Sequence, residues 1–163
     1  MGETITHAYY KEKGMPVKII RIFHTYGPGM NLNDGRVVMD FTRELVKNKK
    51  IVIKSSGKQK RSFCYIADMV SAILIVLLNG KNGEAYNAAN PREFYSISSL
   101  AKKIQKIFPN TKILYKNRDF KESYTPSPLN KVYPDIKKII DLGFNPKIDI
   151  QNGFKRTLKF FQK

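Results

Sequence analysis

Cysteine is nearly absent from this chain. Its 163 residues include one, Cys64, so no internal disulfide can form, and its place in the apolar run Phe63-Cys64-Tyr65-Ile66 points to a buried, inert thiol. No grouping of cysteine or histidine has metal-ligand spacing. Long apolar runs are missing as well. The longest, Met69 to Leu78, is interrupted by Ser71 and is too short to cross a bilayer. Gly2-Glu3-Thr4 does not lead into the apolar region of a signal peptide. The expectation from these absences is a cytoplasmic chain with no membrane partner. There is no internal repeat, low-complexity tract or inter-domain linker.

Acidic residues are the other shortage, 13 against 30 basic ones, for a formal charge of +17. Lysine supplies 23 of the 30 and arginine seven. They are spread along the chain, with small clusters at Lys47-Asn48-Lys49-Lys50, Lys58-Gln59-Lys60-Arg61 and Lys137-Lys138. Nucleic-acid binders gather their charge on one face or tail and mix in arginine. The pattern therefore reads as a solvated, lysine-biased surface, with anion binding by part of it as the alternative. A basic nucleic-acid-binding module is the least favoured function.

What is present suits a globular domain. A hydrophobic fraction of 42% with 12% aromatics exceeds that of disordered chains, and a chain of this size can bury a real core. Residues 1–13 read as a helix with Ile5, Ala8, Tyr9 and Tyr10 on one face and Gly14 as its stop. An apolar strand over 17–23 runs into a polar, glycine-rich turn at 26–35. Val37 to Lys47 has the inward spacing Val37, Val38, Phe41, Leu45, Val46 of an amphipathic helix. A short strand at 51–53, a polar loop at 55–60 and an extended stretch at 62–65 follow.

Ile66 to Asn79-Gly80 reads as a helix with Asp68 in its first turn, as a cap. Glu84 to Ala88 reads as a strand, and Ser96 and Ser98 compete to cap a helix that reaches Phe108. Thr111 to Tyr115 is a strand and Lys116 to Tyr133 an extended loop. Pro134 suits the first position of a helix stopping at Gly143. Asp149 caps a last helix with Ile150, Phe154, Leu158 and Phe161 inward. Alternating strands and helices argue for α/β. Few strands are legible, whereas a parallel sheet needs cover on both faces, so the architecture reads as part of a larger one.

Three motifs carry chemistry. Arg21-Ile22-Phe23-His24-Thr25-Tyr26-Gly27-Pro28 follows a strand, and ligand crevices open beyond the carboxyl ends of strands. Asp34-Gly35-Arg36-Val37-Val38 opens a helix, where backbone N–H groups favour anions. Lys58-Gln59-Lys60-Arg61-Ser62-Phe63-Cys64-Tyr65-Ile66 precedes Asp68. Together with Pro134-Asp135-Ile136-Lys137-Lys138 and Leu142-Gly143-Phe144 before Pro146, they resemble the C-terminal half of extended short-chain dehydrogenase/reductases acting on nucleotide sugars. The patterns are nearest to UDP-glucuronate decarboxylases and dTDP-glucose 4,6-dehydratases, with the 4-epimerases further away.

The resemblance implies the C-terminal part of a Rossmann-type parallel sheet, mainly within residues 1–55, followed by a small α/β nucleotide-sugar-binding region within 56–163. It implies NAD as cofactor and a UDP- or dTDP-sugar as ligand. Neither Gly-x-x-Gly-x-x-Gly after a strand nor a suitably placed Tyr-x-x-x-Lys occurs here, so the cofactor half and the catalytic pair are expected outside the chain, and no catalytic residue is assigned within it. A separate N-terminal Rossmann chain is the expected partner, and a homodimer the expected assembly once complete. A non-catalytic remnant is the alternative.

By position in the motifs, Phe23 and His24 are expected on the cofactor side. His24 stands where the family usually has asparagine and is also expected on the substrate. Arg61 is expected on the diphosphate, which suits its planar fork. Arg36 is expected either on a phosphate or in an ion pair with Asp34 or Asp40. Lys131 is expected on the substrate at a place where arginine is common. Tyr26-Gly27-Pro28 is expected to shape the turn, and His7 to be a surface residue.

Overall fold

The computed structural model describes residues 1–116 and 131–162. Most of the loop expected over 116–133 therefore lies outside the described residues. The N-terminal helix α1 (Gly2–Lys13) ends on Gly14 at φ 63°, whose N–H bonds the Tyr10 carbonyl; glycine takes this left-handed conformation without a Cβ penalty. Strand β1 (Ile19–Ile22) and the short β2 (Thr25–Tyr26) follow. The amphipathic pattern at 37–47 forms α2 (Val37–Asn48), and β3 (Lys50–Ile53) leads out of it.

The extended stretch before Ile66 divides into β4 (Lys60–Ser62) and β5 (Cys64–Tyr65), and α3 (Ile66–Asn79) stops at Gly80. Then come β6 (Ala85–Ala88), β7 (Phe94–Ser96), α4 (Ile97–Ile107), β8 (Lys112–Tyr115), α5 (Lys137–Ile140) and α6 (Ile150–Phe161).

Among the described residues the strands pair in four two-stranded ladders. Three are parallel: β1 with β6, β2 with β5, and β3 with β8. The antiparallel pair joins β4 to β7. Two apolar clusters hold the ladders together. The first gathers Met39, Phe41 and Leu45 of α2, Ile51 and Ile53 of β3, Leu100 and Ile104 of α4, and Ile150, Phe154 and Leu158 of α6. The second gathers Met69, Ala72 and Val76 of α3, Tyr86 and Ala88 of β6, and Ile139 and Phe144, with Ile20 and Phe23 packed against it.

Two expectations change. The helix expected over 134–143 does not begin at Pro134. The Asp135 carbonyl accepts the Asn87 side-chain amide at 2.9 Å and its carboxylate accepts the Lys137 N–H at 2.9 Å. These bonds hold 134–136 along β6 and delay the helix to α5. Asp68 is not a cap either. The α3 N-cap is Tyr65, without a side-chain bond, and the buried Asp68 carboxylate instead accepts the main-chain N–H groups of Lys147 and Ile148 at 3.1 and 2.8 Å. Between the competing serines, Ser96 caps α4 by accepting the Ser99 N–H at 3.0 Å. Asp149 caps α6 through the Asn152 N–H at 2.7 Å, as expected.

Candidate functional site

The carboxyl end of β1 is clamped on both sides. The Phe23 N–H donates to the Ala88 carbonyl at 3.1 Å, and the His24 carbonyl accepts the Cys64 N–H at 3.2 Å. Beyond them the chain turns through Tyr26-Gly27-Pro28. A Cβ on Gly27 would stand 2.3 Å from Ile66 Cγ2, so the turn presses onto the start of α3 and admits only glycine. Tyr26 is buried and meets Tyr65 edge-on, with centroids 5.7 Å apart. Burial above all raises its phenol pKa, so it stays protonated. Cys64 is likewise buried, and burial pushes its thiol up to about 12.

His24 projects from this clamp with its imidazole tilted over Phe63 at a centroid distance of 6.1 Å. His24 is an exposed residue, yet neighbouring atoms strip enough water from it to lower its pKa, with the charges of Arg61 and then Arg36 adding to the effect. Arg61 lies at the centre of β4, opposite Tyr95 of β7. It is partly buried, and its Nη1 donates to the Lys60 carbonyl at 2.8 Å. Arg36 is the N-cap residue of α2.

Asp34 holds Arg36 twice: one carboxylate oxygen accepts its main-chain N–H at 2.9 Å and the other its Nε at 2.7 Å. Of the two acidic partners expected for Arg36, Asp34 is therefore the one engaged. Asp40 pairs with Arg43 at 2.7 Å and Lys54 at 3.4 Å. The main chain of Lys131 forms a parallel bridge with Lys60, next to Arg61, and Tyr133 meets Phe94 of β7 edge-on at 5.2 Å.

Residues far apart in sequence thus act on one another's charge. His24, Arg36 and Arg61 lie in a common electrostatic field, and Lys131 runs alongside the strand that carries Arg61. Such a set of charges suits a multiply charged anion, because forked guanidinium groups match phosphate oxygens. Phe23 does not turn its whole ring towards them; it packs partly into the second cluster. His7 is exposed, as expected. It helps line a cavity of about 360 Å³ near the start of β6, with Arg21, Glu84, Asp135 and Lys138. None of the predicted binding residues lines that cavity.

Sequence reasoning missed the buried polar frame behind these residues. Ser62 Oγ donates to the Asn90 carbonyl at 2.6 Å, the Asn90 side chain accepts the Arg92 N–H at 3.2 Å, and Glu93 accepts the Ile150 N–H at 2.9 Å. These bonds tie the loop after β6 to β4 and to the head of α6. The Asn90-Pro91 dipeptide marks a turn, but the Ser62 hydroxyl that it receives lies 28 residues away.

The described residues do not by themselves fit the pyrophosphate of NAD. That site needs a glycine-rich turn passing directly from a strand into a helix N-terminus. Here β1 leads into β2, and the next helix begins only at Val37. The close approaches at Gly27, Gly57, Gly83 and Gly153 are each filled by a side chain of this protein. No chemical step is therefore derived through NAD.

The model of the NAD dependent epimerase/dehydratase family matches residues 1–89. UDP-glucuronic acid decarboxylase 1 of Xenopus tropicalis is 32% identical over 164 residues, covering 100% of this chain and 37% of that protein. The UDP-glucose 4-epimerase of Thermotoga maritima, solved with UDP-glucose, superposes with a TM-score of 0.83 at 24% identity, over 98% of this chain and 50% of that one. The dTDP-glucose 4,6-dehydratase of Bacillus anthracis, solved with NAD, gives 0.81 at 22% identity, over 98% and 49%. These likenesses bear out the α/β, Rossmann-type fold. The chain spans 35–43% of the length of the curated relatives it matches.

Proposed function

We propose, from the premise that this chain belongs to the NAD dependent epimerase/dehydratase family, that it forms the nucleotide-sugar-binding half of an enzyme acting on a UDP- or dTDP-sugar. What supports the reading is that His24 follows β1, Arg61 lies on β4 and Arg36 heads α2, with the charges of both arginines acting on His24 and the Lys131 main chain bridged to Lys60 next to Arg61. In this reading Arg61 holds the diphosphate, Arg36, paired with Asp34, offers it at most its remaining guanidinium donors, Lys131 adds charge at the rim, and His24 hydrogen-bonds the ligand where the diphosphate meets the sugar. Phe23 and His24 face the cofactor side.

The reading calls for a second, NAD-binding half, and the surface supports one. Strand β1 pairs on one edge only among the described residues, with β6. Helix α3 turns Val70, Ile73, Leu74, Leu77 and Leu78 to solvent, the last 75% exposed. Helix α1 buries none of its residues. A parallel sheet is covered on both faces, and an apolar face of this extent marks an interface. A Rossmann-type half that adds a strand beside β1 and helices over α3 would meet each demand. It would bring the glycine-rich turn and the tyrosine–lysine pair, and α1 would be available to a homodimer. Non-polar cover is what α3 lacks, so the partner fits this face better than a polyanion does.

The test is complementation. The chain is co-expressed with an NAD-binding half from one of its relatives, and turnover of UDP-glucuronate, UDP-glucose and dTDP-glucose is followed by product analysis. Turnover that needs both halves and falls with Arg61→Ala supports the reading. A stable, NAD-loaded complex that binds none of these sugars refutes it.

A further inference from the structure

Two neighbouring helices carry no acidic residue. Helices α4 and α6 hold Lys102, Lys103 and Lys106, and Lys155, Arg156 and Lys159. Their apolar sides meet: Leu100 and Ile104 share a cluster with Phe154 and Leu158, and the Phe108 and Phe154 rings stand 6.2 Å apart. Lys102, Lys106, Lys155 and Lys159 each stand two positions past a buried residue, namely Leu100, Ile104, Gly153 and Thr157. Two positions are more than half a turn of α-helix, so these lysines point outward. All four are exposed, as is Arg156. Lys103 turns aside, with its ammonium 4.5 Å from the centre of the Tyr95 ring.

This arrangement repels itself. Lys102 and Lys106, and likewise Lys155 and Lys159, are like charges four residues apart on one helix, a destabilising spacing. The helix dipole favours Lys106 and Lys159, which lie in the last turns, but does nothing for Lys102, Lys155 and Arg156. Among the described residues no ion pair reaches any of the five. The carboxylates on adjoining elements are engaged elsewhere. Asp149 caps α6, and buried Glu93 accepts the Ile150 N–H. Asp40 and Glu44 lie on α2, which packs on α6, and pair with Arg43, Lys50 and Lys54. An anion outside the chain would relieve the repulsion.

Shape and composition point to the kind of anion. A protein interface has an apolar centre poor in lysine, whereas Phe160, 48% exposed at the end of α6, is the large apolar side chain this face offers. A duplex major groove about 12 Å wide admits one helix. Two helices packed side by side present a face about 20 Å across. Lysine is also a hydrated point charge, not a fork that grips single phosphates. A wide, lysine-rich face with one aromatic at its end suits a plane of charged headgroups. We propose that the outward face of α4 and α6 docks this chain onto an anionic phospholipid surface. Lys102, Lys106, Lys155, Arg156 and Lys159 supply the attraction and Phe160 enters the headgroup layer. No helix of the described residues is long and apolar enough to cross a membrane, and a surface contact needs none. The contact is independent of the sugar site.

The experiment is co-sedimentation of the full chain with vesicles, either pure phosphatidylcholine or phosphatidylcholine mixed with phosphatidylglycerol. The expected result is binding to the mixed vesicles alone, weakening steeply as salt shortens the reach of the charges. Each cation near an anionic surface strengthens binding about fivefold, so Lys155→Gln combined with Lys159→Gln should lose about twentyfold. The same change of charge on α1, at exposed Lys11 and Lys13, should leave binding within about twofold of the parent. Equal losses in the two double variants would trace binding to net charge and overturn the proposal. Equal, salt-insensitive binding to both kinds of vesicle would trace it to the apolar face of α3 and overturn it as well. Absence of vesicle binding also overturns it, and retention of a labelled DNA duplex in that case would assign the face to nucleic acid.

Discussion

Removing the carboxylate of Asp68 tests whether the closing segment is held by two buried hydrogen bonds or by apolar packing alone. Asp68 is 7% exposed and accepts the N–H groups of Lys147 and Ile148 at 3.1 and 2.8 Å, across 79 and 80 residues of sequence. In Asp68→Ala both donors lose their partner. A buried donor left unpaired costs about 1–3 kcal/mol. Ile148 is half-buried and takes most of that cost, whereas exposed Lys147 recovers a bond to water. The sum is about 1–3 kcal/mol.

With a urea dependence of about 2 kcal/mol per molar, the midpoint of unfolding should fall by about 0.5–1.5 M, with an unchanged slope. Asp68→Asn keeps one acceptor oxygen without the charge and should lose about 1 kcal/mol. Circular dichroism gives the midpoints, and hydrogen exchange at the Ile148 amide reports the local opening. An Asp68→Ala midpoint within about 0.25 M of the parent would refute the argument.

Other consequences follow from the same geometry. Gly153→Ala gains about 1 kcal/mol of helix propensity. Its Cβ would stand 2.3 Å from the Tyr26 hydroxyl and 2.9 Å from Tyr65, though, and overpacking a rigid buried pair costs about 1–3 kcal/mol; thermal melting should show a net loss, and a rise in melting temperature would contradict it. Arg61→Ala should weaken UDP-glucose binding by about 10- to 100-fold, with Arg61→Lys recovering only part, as read by calorimetry. Cys64 should resist thiol reagents in the folded chain, since burial pushes its pKa to about 12, and react on unfolding in urea. The Glu3 pKa is lowered by its hydrogen bond to Arg21, so docking of α1 on β1 should hold above the ordinary glutamate range and loosen as pH falls below it, seen as faster exchange of the α1 amides.

Much of the element order was legible because its signals are local. The 3.6-residue spacing of Val38, Phe41 and Leu45, the glycine after Lys13, and the Asp149 cap each report on a neighbourhood of a few residues. The strand–turn motif at Arg21 to Pro28 and the basic motif ending at Arg61 likewise carried the resemblance to nucleotide-sugar enzymes. Elements made by pairing were harder to see. Strand β7 has only three residues and exists because Tyr95 and Phe94 find Arg61 and Ser62 on β4. Helix α5 starts late because Asn87, 48 residues away, captures Asp135.

The sequence by itself determined the candidate residues: Phe23 and His24 just after a strand, a helix head with Arg36, a basic strand with Arg61, and a single thiol placed to be buried. Only the tertiary structure decided which of these share a field, because charges separated by tens of residues act on one another only once parallel pairing of β2 with β5 sets them side by side. It also turned Asp68 from a cap into a cross-chain brace, since the identity of a hydrogen-bond acceptor is written locally but its donors are not. The open edge of β1 and the bare apolar face of α3 belong to the same class of fact. Pairing and cover are properties of surfaces that meet in space, and no window of sequence contains both sides.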